Sequence, residues 1–209
     1  MKLRLLALLL SLPTLAAADC VTPEDLSTGI AFTRQDGRGG LAKADGKTIV
    51  VDYAVKSQTA WHDWRRTTLG LYELAWGWTP TDEYYVGGGP GGSYDYKFSG
   101  KPPVPTPGKT WSTTVRVTET QDNGTEFGPE KTRYSYDVTY SFQATKEVKL
   151  SGCPYTVLPV EATFTGPQGH YSRRWIYFPD LGFGLETRQI DHASGEDRKL
   201  GLTAMTPQG

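Results

Sequence analysis

Apolar and polar residues alternate with a period of two along most of this chain. The clearest stretch is 134–142, where tyrosine, valine and phenylalanine alternate with serine, aspartate and threonine. An antiparallel strand with one buried face has this pattern, because successive side chains point to opposite sides of a sheet. The alternation and the intervening turn residues predict strands at 29–34, 49–55, 67–76, 93–98, 111–120, 131–144, 155–165, 171–178, 183–191 and 198–205.

These strands predict a mostly β fold: an antiparallel curved sheet, half-barrel or sandwich of about eight to ten strands. Asn123-Gly124 favours a tight hairpin turn between strands 111–120 and 131–144. One short helical turn is expected near the N-terminus. There Thr22 can cap the turn, Pro23 suits its first position, and the acidic residues that follow lie near its positive end.

Residues 1–18 have the features of a secretory signal peptide. A basic start is followed by the apolar run 5–12 and by alanines at 16–18. That run is too short to span a bilayer. We therefore expect a mature chain of residues 19–209 that forms a single β-rich domain, is periplasmic or secreted, and has no transmembrane segment.

The chain has two cysteines, Cys20 and Cys153. Export would place both in an oxidising compartment, where thiols pair. Their wide separation lacks the Cys-x-x-Cys geometry of redox-active pairs, so we predict a structural disulfide. Asp19 precedes Cys20, whereas a lipid-bearing bacterial cysteine follows a small residue.

Charge and motif content narrow the function classes. The 22 basic and 23 acidic residues are scattered, which does not favour a nucleic-acid partner. The three histidines have no metal-ligand spacing, and no phosphate-binding loop or serine-hydrolase elbow occurs. We expect no cofactor, no bound metal and no catalytic residue that a local motif would identify.

Carboxylates keep an enzymatic alternative open. A glycoside hydrolase needs two acids facing each other across a cleft, and the sequence gives no such distance. The acids that could supply such a pair are Asp82, Glu83, Glu161, Asp180, Glu186, Glu196 and Asp197.

Aromatic residues are dense between positions 61 and 98. Flat rings suit sugar faces or apolar ligands, but aromatic side chains also fill sheet cores and form cross-strand pairs. Both interpretations remain open from the sequence. The candidate ligand-binding residues are Trp61, Trp64, Trp76, Trp78, Tyr94 and Tyr96.

Two segments of the C-terminal third carry a family resemblance: Val157–Phe164, and the Trp-Ile-Tyr-Phe-Pro-Asp-Leu-Gly stretch that begins at Trp175. They resemble uncharacterised exported bacterial β-sheet proteins that are similar in fold to the lipoprotein-localisation factors. The resemblance implies a curved antiparallel sheet around an apolar cavity. It assigns no functional residue.

Three functions remain open. The first is a non-catalytic envelope protein that binds an apolar ligand, a glycan or a protein partner through an aromatic-lined sheet face. The second is a hydrolase that acts on envelope polysaccharide with paired carboxylates. The third is a structural subunit of a surface assembly. The lack of a catalytic motif favours binding.

Overall fold

The computed structural model describes residues 20–54, 61–80, 91–122 and 128–208. They form one antiparallel sheet of 14 strands, more than the eight to ten predicted. The strands are β1 (Ile30–Arg34), β2 (Gly39–Asp45), β3 (Thr48–Ala54), β4 (Trp61–Thr68), β5 (Tyr72–Pro80), β6 (Gly91–Phe98), β7 (Thr110–Asp122), β8 (Glu130–Phe142), β9 (Lys146–Leu150), β10 (Cys153–Gly166), β11 (Gly169–Phe178), β12 (Phe183–Asp191), β13 (Asp197–Lys199) and β14 (Leu202–Pro207).

The prediction was wrong in strand number because it missed short turns and polar strands. The segment 67–76 is not one strand: it contains the turn between β4 and β5, where Leu69 and Gly70 have φ values of 55° and 67°. The segment 198–205 spans the break between β13 and β14. Strands β2 and β9 were missed because their glycines, lysines and acids weaken the apolar alternation.

Strand order follows the chain closely: β13-β12-β11-β10-β8-β7-β6-β5-β4-β3-β2-β1-β14. Two arrangements depart from a simple meander. Strand β14 returns to pair with β1, and β8 and β9 share one partner. Strand β9 pairs with Cys153–Val157 of β10, while β8 pairs with Val160–Thr165.

The sheet folds over, so that the β4–β5 turn contacts β12. Six strands lie between β4 and β12 in the sheet, yet the Gly184 amide donates a 2.9 Å hydrogen bond to the Leu69 carbonyl. A Cβ atom on Gly70 would lie 2.1 Å from the Gly184 carbonyl oxygen. Only glycine permits this approach together with a positive φ angle.

Two apolar clusters fill the space inside the folded sheet. One lies among β1, β3, β10, β12 and β14, and its most buried members include Ile30, Val157, Phe183 and Met205. The other lies among β5, β7, β8, β10 and β11 and is rich in aromatic rings, including Tyr72, Tyr140 and Trp175. The period-two prediction for 134–142 is confirmed, because Tyr136, Val138, Tyr140 and Phe142 all belong to this second cluster.

The predicted disulfide is confirmed. Cys20 and Cys153 are bonded, with Cα atoms 5.6 Å apart and a sequence separation of 133. Next to it the Val21 amide donates to the Tyr155 hydroxyl at 2.9 Å. The N-terminal segment is therefore fastened to the start of β10.

Two local predictions also hold. A 3-10 helical turn spans Pro23–Leu26 and has Thr22 at its N-cap, where the Thr22 amide donates to Asp25. Strands β7 and β8 form a hairpin with Gln121 opposite Glu130, although Asn123-Gly124 lies outside the described residues. No helix in the described part of the chain is long and apolar enough to cross a membrane.

Candidate functional site

Four charged side chains meet where β4 and β5 face β11 and β12, and we call Arg65, Glu73, Arg173 and Glu186 the charge cluster. Arg173 donates from Nη2 to Glu73 Oε1 at 2.6 Å and from Nε to Glu186 Oε1 at 2.5 Å. Arg65 Nη1 donates to Glu73 and, at 3.1 Å, to Glu186 Oε2. Each arginine thus bonds both glutamates, and the four charges cancel.

Both glutamates of the charge cluster stand beside an extra residue in their strands. In β4, Arg66 pairs with Ala75 and Thr67 pairs with Glu73. Leu74 of β5, which directly follows Glu73, therefore has no partner. In β12, Thr187 is the residue without a partner, directly after Glu186. Such bulges turn side chains away from the strict alternation of a strand. The bulges therefore direct two charged side chains of otherwise apolar strands into the interior of the folded sheet.

The charge cluster keeps its glutamates ionised. Burial alone would raise the pKa of Glu73, but Arg173 and Arg65 outweigh burial and lower this pKa from 4.5 to about 2. The pKa of Glu186 is lowered by the same two arginines against the same effect of burial. Neither carboxyl group carries a proton near neutral pH.

A cavity of about 760 Å³ lies above the charge cluster, and we call it the central cavity. Its walls carry the rings of Tyr53, Trp76, Tyr96 and Tyr171. Its mouth is formed by the β1–β2 turn and the β12–β13 hairpin, which contribute charged side chains. The charged residues at the mouth are Asp36, Arg38, Asp191, Glu196, Arg198 and Lys199.

Two guanidinium groups lie over the ring of Tyr53 in one wall of the central cavity. The Cζ atoms of Arg34 and Arg65 are 4.8 Å and 5.6 Å from its centroid, within the range of cation–π attraction. Arg34 is 6% exposed, and its Nη2 donates to Asp36 at 3.3 Å. The Nε atoms of both arginines are buried and have no hydrogen-bond partner among the described residues.

Aromatic rings continue this wall across β5 and β6. Trp76 and Tyr94 are cross-strand partners whose rings stack 4.7 Å apart at an angle of 5°. Trp78 lies 5.5 Å from Trp76, and the indole of Trp76 donates to Asp63 at 2.7 Å. Arg65 lies 5.6 Å from the ring of Trp76, so the rings and the charge cluster adjoin.

No family model matches the sequence, and no curated protein matches it. A crystal structure described as the hypothetical lipoprotein YmcC from Escherichia coli (K12) is 13% identical, with a TM-score of 0.47. The match covers 90% of this chain and 91% of that chain. The chain weakly resembles an uncharacterised exported β protein, as the sequence predicted. At this level the likeness carries no information on function.

Four of the six candidate ligand-binding residues come together. Trp76, Trp78, Tyr94 and Tyr96 form a continuous row of half-buried rings, and of these Trp76 and Tyr96 line the central cavity. Their role in binding stays a prediction.

The other two candidates lie elsewhere. Trp64 is the cross-strand partner of Gly77, one position from the Arg65–Trp76 pair, and therefore belongs to the opposite face of the sheet. Its indole covers Gly77, where an added Cβ would lie 2.7 Å from the ring. Trp61 is the first residue of β4, and its side chain lies outside the described part of the structure.

Glu186 is among the candidate acids predicted from the sequence, whereas Glu73 is not. The remaining acids do not form a pair with Glu186: Glu161 bonds Arg174, Asp180 is exposed, and Glu196 and Asp197 bond arginines at the β12–β13 hairpin. Asp82 and Glu83 lie outside the described residues.

A signal for the charge cluster was present in the sequence. Glu73 stands alone within the apolar run 69–76, and Arg173 precedes a strand segment rich in aromatic residues. A single charge in such a run indicates a buried partner. The described residues contain no group of three or more metal-ligating side chains.

Proposed function

We propose that this protein is a non-catalytic, exported binding protein that holds a polar glycan in the central cavity. The observation that carries the proposal is the composition of the cavity wall. Aromatic rings stand beside ionised side chains in a space of about 760 Å³, large enough for a small oligosaccharide.

A sugar fits this wall better than an apolar ligand. Sugar rings present C–H faces that pack on aromatic rings, and their hydroxyl groups exchange hydrogen bonds with charged side chains. Twelve of the nineteen residues that line the cavity are charged. An apolar molecule would displace water from these groups and give them no hydrogen bonds in return, which is costly.

The same geometry speaks against hydrolysis by paired carboxylates. Glu73 and Glu186 approach each other at the cavity floor, but a glycosidase needs one acid that is still protonated at working pH. The arginines lower the pKa of both glutamates instead. An ionised carboxylate cannot donate a proton to a leaving oxygen.

An assembly subunit would need a docking surface, and the described surface offers little apolar area for one. Among the described residues Val104 is the one large hydrophobic side chain that is exposed. Surfaces that associate stably usually show a contiguous apolar patch. The described residues therefore support binding inside the cavity in preference to assembly through an apolar face.

Export is supported by the disulfide between Cys20 and Cys153, because such bonds persist in oxidising compartments. The same bond occupies the Cys20 sulfur. A cysteine in a disulfide has no thiol left for lipid attachment, so we propose a mature chain released after the signal peptide without an acyl anchor.

A glycan array that contains neutral and acidic oligosaccharides, followed by calorimetry on each hit, tests the proposed function. Trp76→Ala should weaken binding about tenfold or more, because it removes from the cavity wall the ring on which Tyr94 and Arg65 pack. Trp64→Ala is the matched control, since it removes the same side chain from the opposite face of the sheet.

Thermal unfolding followed by circular dichroism must first show that both variants are folded and unfold cooperatively. No binding anywhere on the array, or equal loss in Trp76→Ala and Trp64→Ala, would contradict glycan binding in the central cavity.

A further inference from the structure

We propose that His170 and His192 together bind a divalent transition-metal ion, Cu²⁺ in preference to others, on the outer face of the sheet. This site is separate from the central cavity and goes beyond the proposed function. The spacing of the histidines in the sequence gives no sign of it. The pair forms only because His170 belongs to β11 and His192 directly follows β12, and these two strands are neighbours.

The pairing of β11 with β12 brings the two imidazoles together. The His192 amide donates a 2.9 Å hydrogen bond to the His170 carbonyl, and the ring centroids are 4.5 Å apart. Tyr171, which follows His170, lines the central cavity, so His170 points to the opposite face of the sheet. Both histidines are exposed, and an ion in solution can therefore reach their rings.

The distance between the rings fits one shared metal ion. When two imidazoles bind a metal through nitrogen bonds of about 2.0–2.1 Å that meet at a right angle, their centroids lie about 4.5 Å apart. The tetrahedral angle of a typical zinc site would place them about 5.2 Å apart. The observed 4.5 Å matches the right angle, which is the geometry that Cu²⁺ and Ni²⁺ prefer.

A buried hydroxyl group supports the ring of His192 from below. Ser172 is 3% exposed, and its Oγ lies 2.8 Å from His192 Nε2 and 3.0 Å from Thr163 Oγ1. In the metal-bound form Nε2–H of His192 donates to Ser172, and the Ser172 hydroxyl donates to Thr163. Nδ1 of His192 then carries the lone pair that binds the metal. Histidine ligands are normally oriented by such a hydrogen bond from the second ring nitrogen.

The backbone at His192 is also held in place. Asp191 Oδ1 accepts from the amides of Ala193 and Ser194 at 2.8 and 2.9 Å. The Gly195 amide donates to the Asp191 carbonyl at 2.9 Å. The turn that carries His192 is therefore fixed before a metal binds, which favours binding because little conformational freedom is lost.

The ligands identify the class of metal. Neutral imidazole suits copper, nickel and zinc, whereas calcium and magnesium prefer oxygen ligands. For a given set of ligands, Cu²⁺ binds more tightly than Ni²⁺ or Zn²⁺. Among the described residues no third histidine, cysteine or carboxylate joins the pair. Water would therefore complete the coordination of the ion.

The test is a titration of the mature protein with CuCl₂ in a buffer that does not bind copper, followed by calorimetry and electron paramagnetic resonance. One Cu²⁺ per chain should bind, with nitrogen couplings from two imidazoles. His170→Asn and His192→Asn should each weaken binding about tenfold or more. His62→Asn is the matched control, because the third histidine pairs with Asp52 on other strands and its loss should leave the affinity unchanged.

Ser172→Ala tests the support of the ring. It keeps both imidazoles, so both nitrogen couplings should remain while the affinity falls about tenfold. Circular dichroism checks that each variant is folded. If His192→Asn does not fold, His170→Asn still decides the question, because the exposed His170 side chain makes no hydrogen bond with any described residue.

Three results would overturn the metal site: wild-type affinity for Cu²⁺ in His170→Asn, coupling to a single imidazole, or tighter binding of Zn²⁺ than of Cu²⁺. An equal loss of affinity in His62→Asn would do the same. None of these results bears on glycan binding, which the oligosaccharide array tests separately.

Discussion

Arg65 and Glu186 are 121 residues apart in the sequence, and Arg65 Nη1 donates a 3.1 Å hydrogen bond to Glu186 Oε2. The bond joins β4 to β12 across the interior of the folded sheet. With Glu73 and Arg173 it forms a closed set of opposite charges under the central cavity. The two halves of the sheet are therefore connected by ion pairs at the floor of the central cavity.

The charge cluster should make the protein sensitive to acid. Both glutamates have pKa values lowered by folding, that of Glu73 from 4.5 to about 2. A lowered pKa contributes stability that is fully present above the unfolded value and is lost as pH falls toward the folded one. For Glu73 the loss amounts to about 3 kcal/mol. Urea denaturation in steps between pH 6 and about pH 2 measures it.

The matched variants for this titration are Glu73→Gln and Glu161→Gln. Glu73→Gln should be less stable at neutral pH and should show a flatter dependence of the unfolding free energy on pH. Glu161 also pairs with an arginine, Arg174, but lies outside the charge cluster, so Glu161→Gln should keep the steep loss below about pH 5. An unchanged slope in Glu73→Gln would refute the assignment.

Removal of one arginine from the charge cluster should cost more than removal of the arginine of a partly exposed ion pair. Arg173→Met leaves two buried glutamates with one arginine and should lower the free energy of unfolding by about 3–5 kcal/mol. Arg174→Met, at a partly exposed ion pair, should cost about 1 kcal/mol or less.

The double variant Arg173→Met with Glu186→Leu leaves the neutral pair of Arg65 and Glu73. It should be less destabilised than the sum of its two single variants. Additive effects in chemical denaturation would mean that the two side chains act independently, which their 2.5 Å hydrogen bond does not allow.

Gly70 should not tolerate a side chain. Gly70→Ala places a Cβ 2.1 Å from the Gly184 carbonyl oxygen at a φ of +67°. Gly37→Ala is the matched control, because Gly37 has a φ of +77° and nothing within 4 Å of the added atom. The control should cost about 1 kcal/mol from backbone strain alone. Gly70→Ala should cost at least about 2 kcal/mol more, since the β4–β5 turn must move away from β12. Similar melting temperatures for both variants would contradict the close contact.

The disulfide should contribute strongly to stability. Cys20→Ser opens a loop with a sequence separation of 133 residues, for which the chain-entropy model gives about 4–5 kcal/mol. The melting temperature of Cys20→Ser should fall, and Cys153→Ser should give the same result. A thiol assay on the unfolded wild type without reductant should find no free cysteine. Reactive thiols in that assay would disprove the bond.

The fold class could be predicted from the sequence, because a strand that is buried on one face has alternating apolar and polar residues. Tyr136, Val138 and Tyr140 carry that pattern, and they are buried on one face as expected. The number of strands could not be predicted. The turn at Leu69–Gly70 lies inside an apolar run, so hydrophobicity gives no sign of the reversal there.

The aromatic part of the candidate site could be predicted from the sequence, whereas the charge cluster left only the signal of single charges in apolar segments. Trp76 and Tyr94 belong to adjacent strands, so local alternation and density bring them together. The charge cluster depends on bulges after Glu73 and Glu186 and on contacts between residues 100 and 121 positions apart. A bulge shifts a side chain to the other face without a sequence signature of its own. Long-range proximity of this kind follows from the folding-over of the sheet, which the strand pattern does not encode.

The pairing of β1 with β14 has a consequence for how the chain acquires its structure. Ile30 lies opposite Pro207 and Phe32 opposite Met205, so the first strand is completed by the last. Ribosomes deliver the N-terminal end first, and Phe32 then has no partner on that side until almost the whole chain has emerged. Pairings over so long a separation form slowly. A chain with this topology therefore completes its sheet only after the last strand has been synthesised.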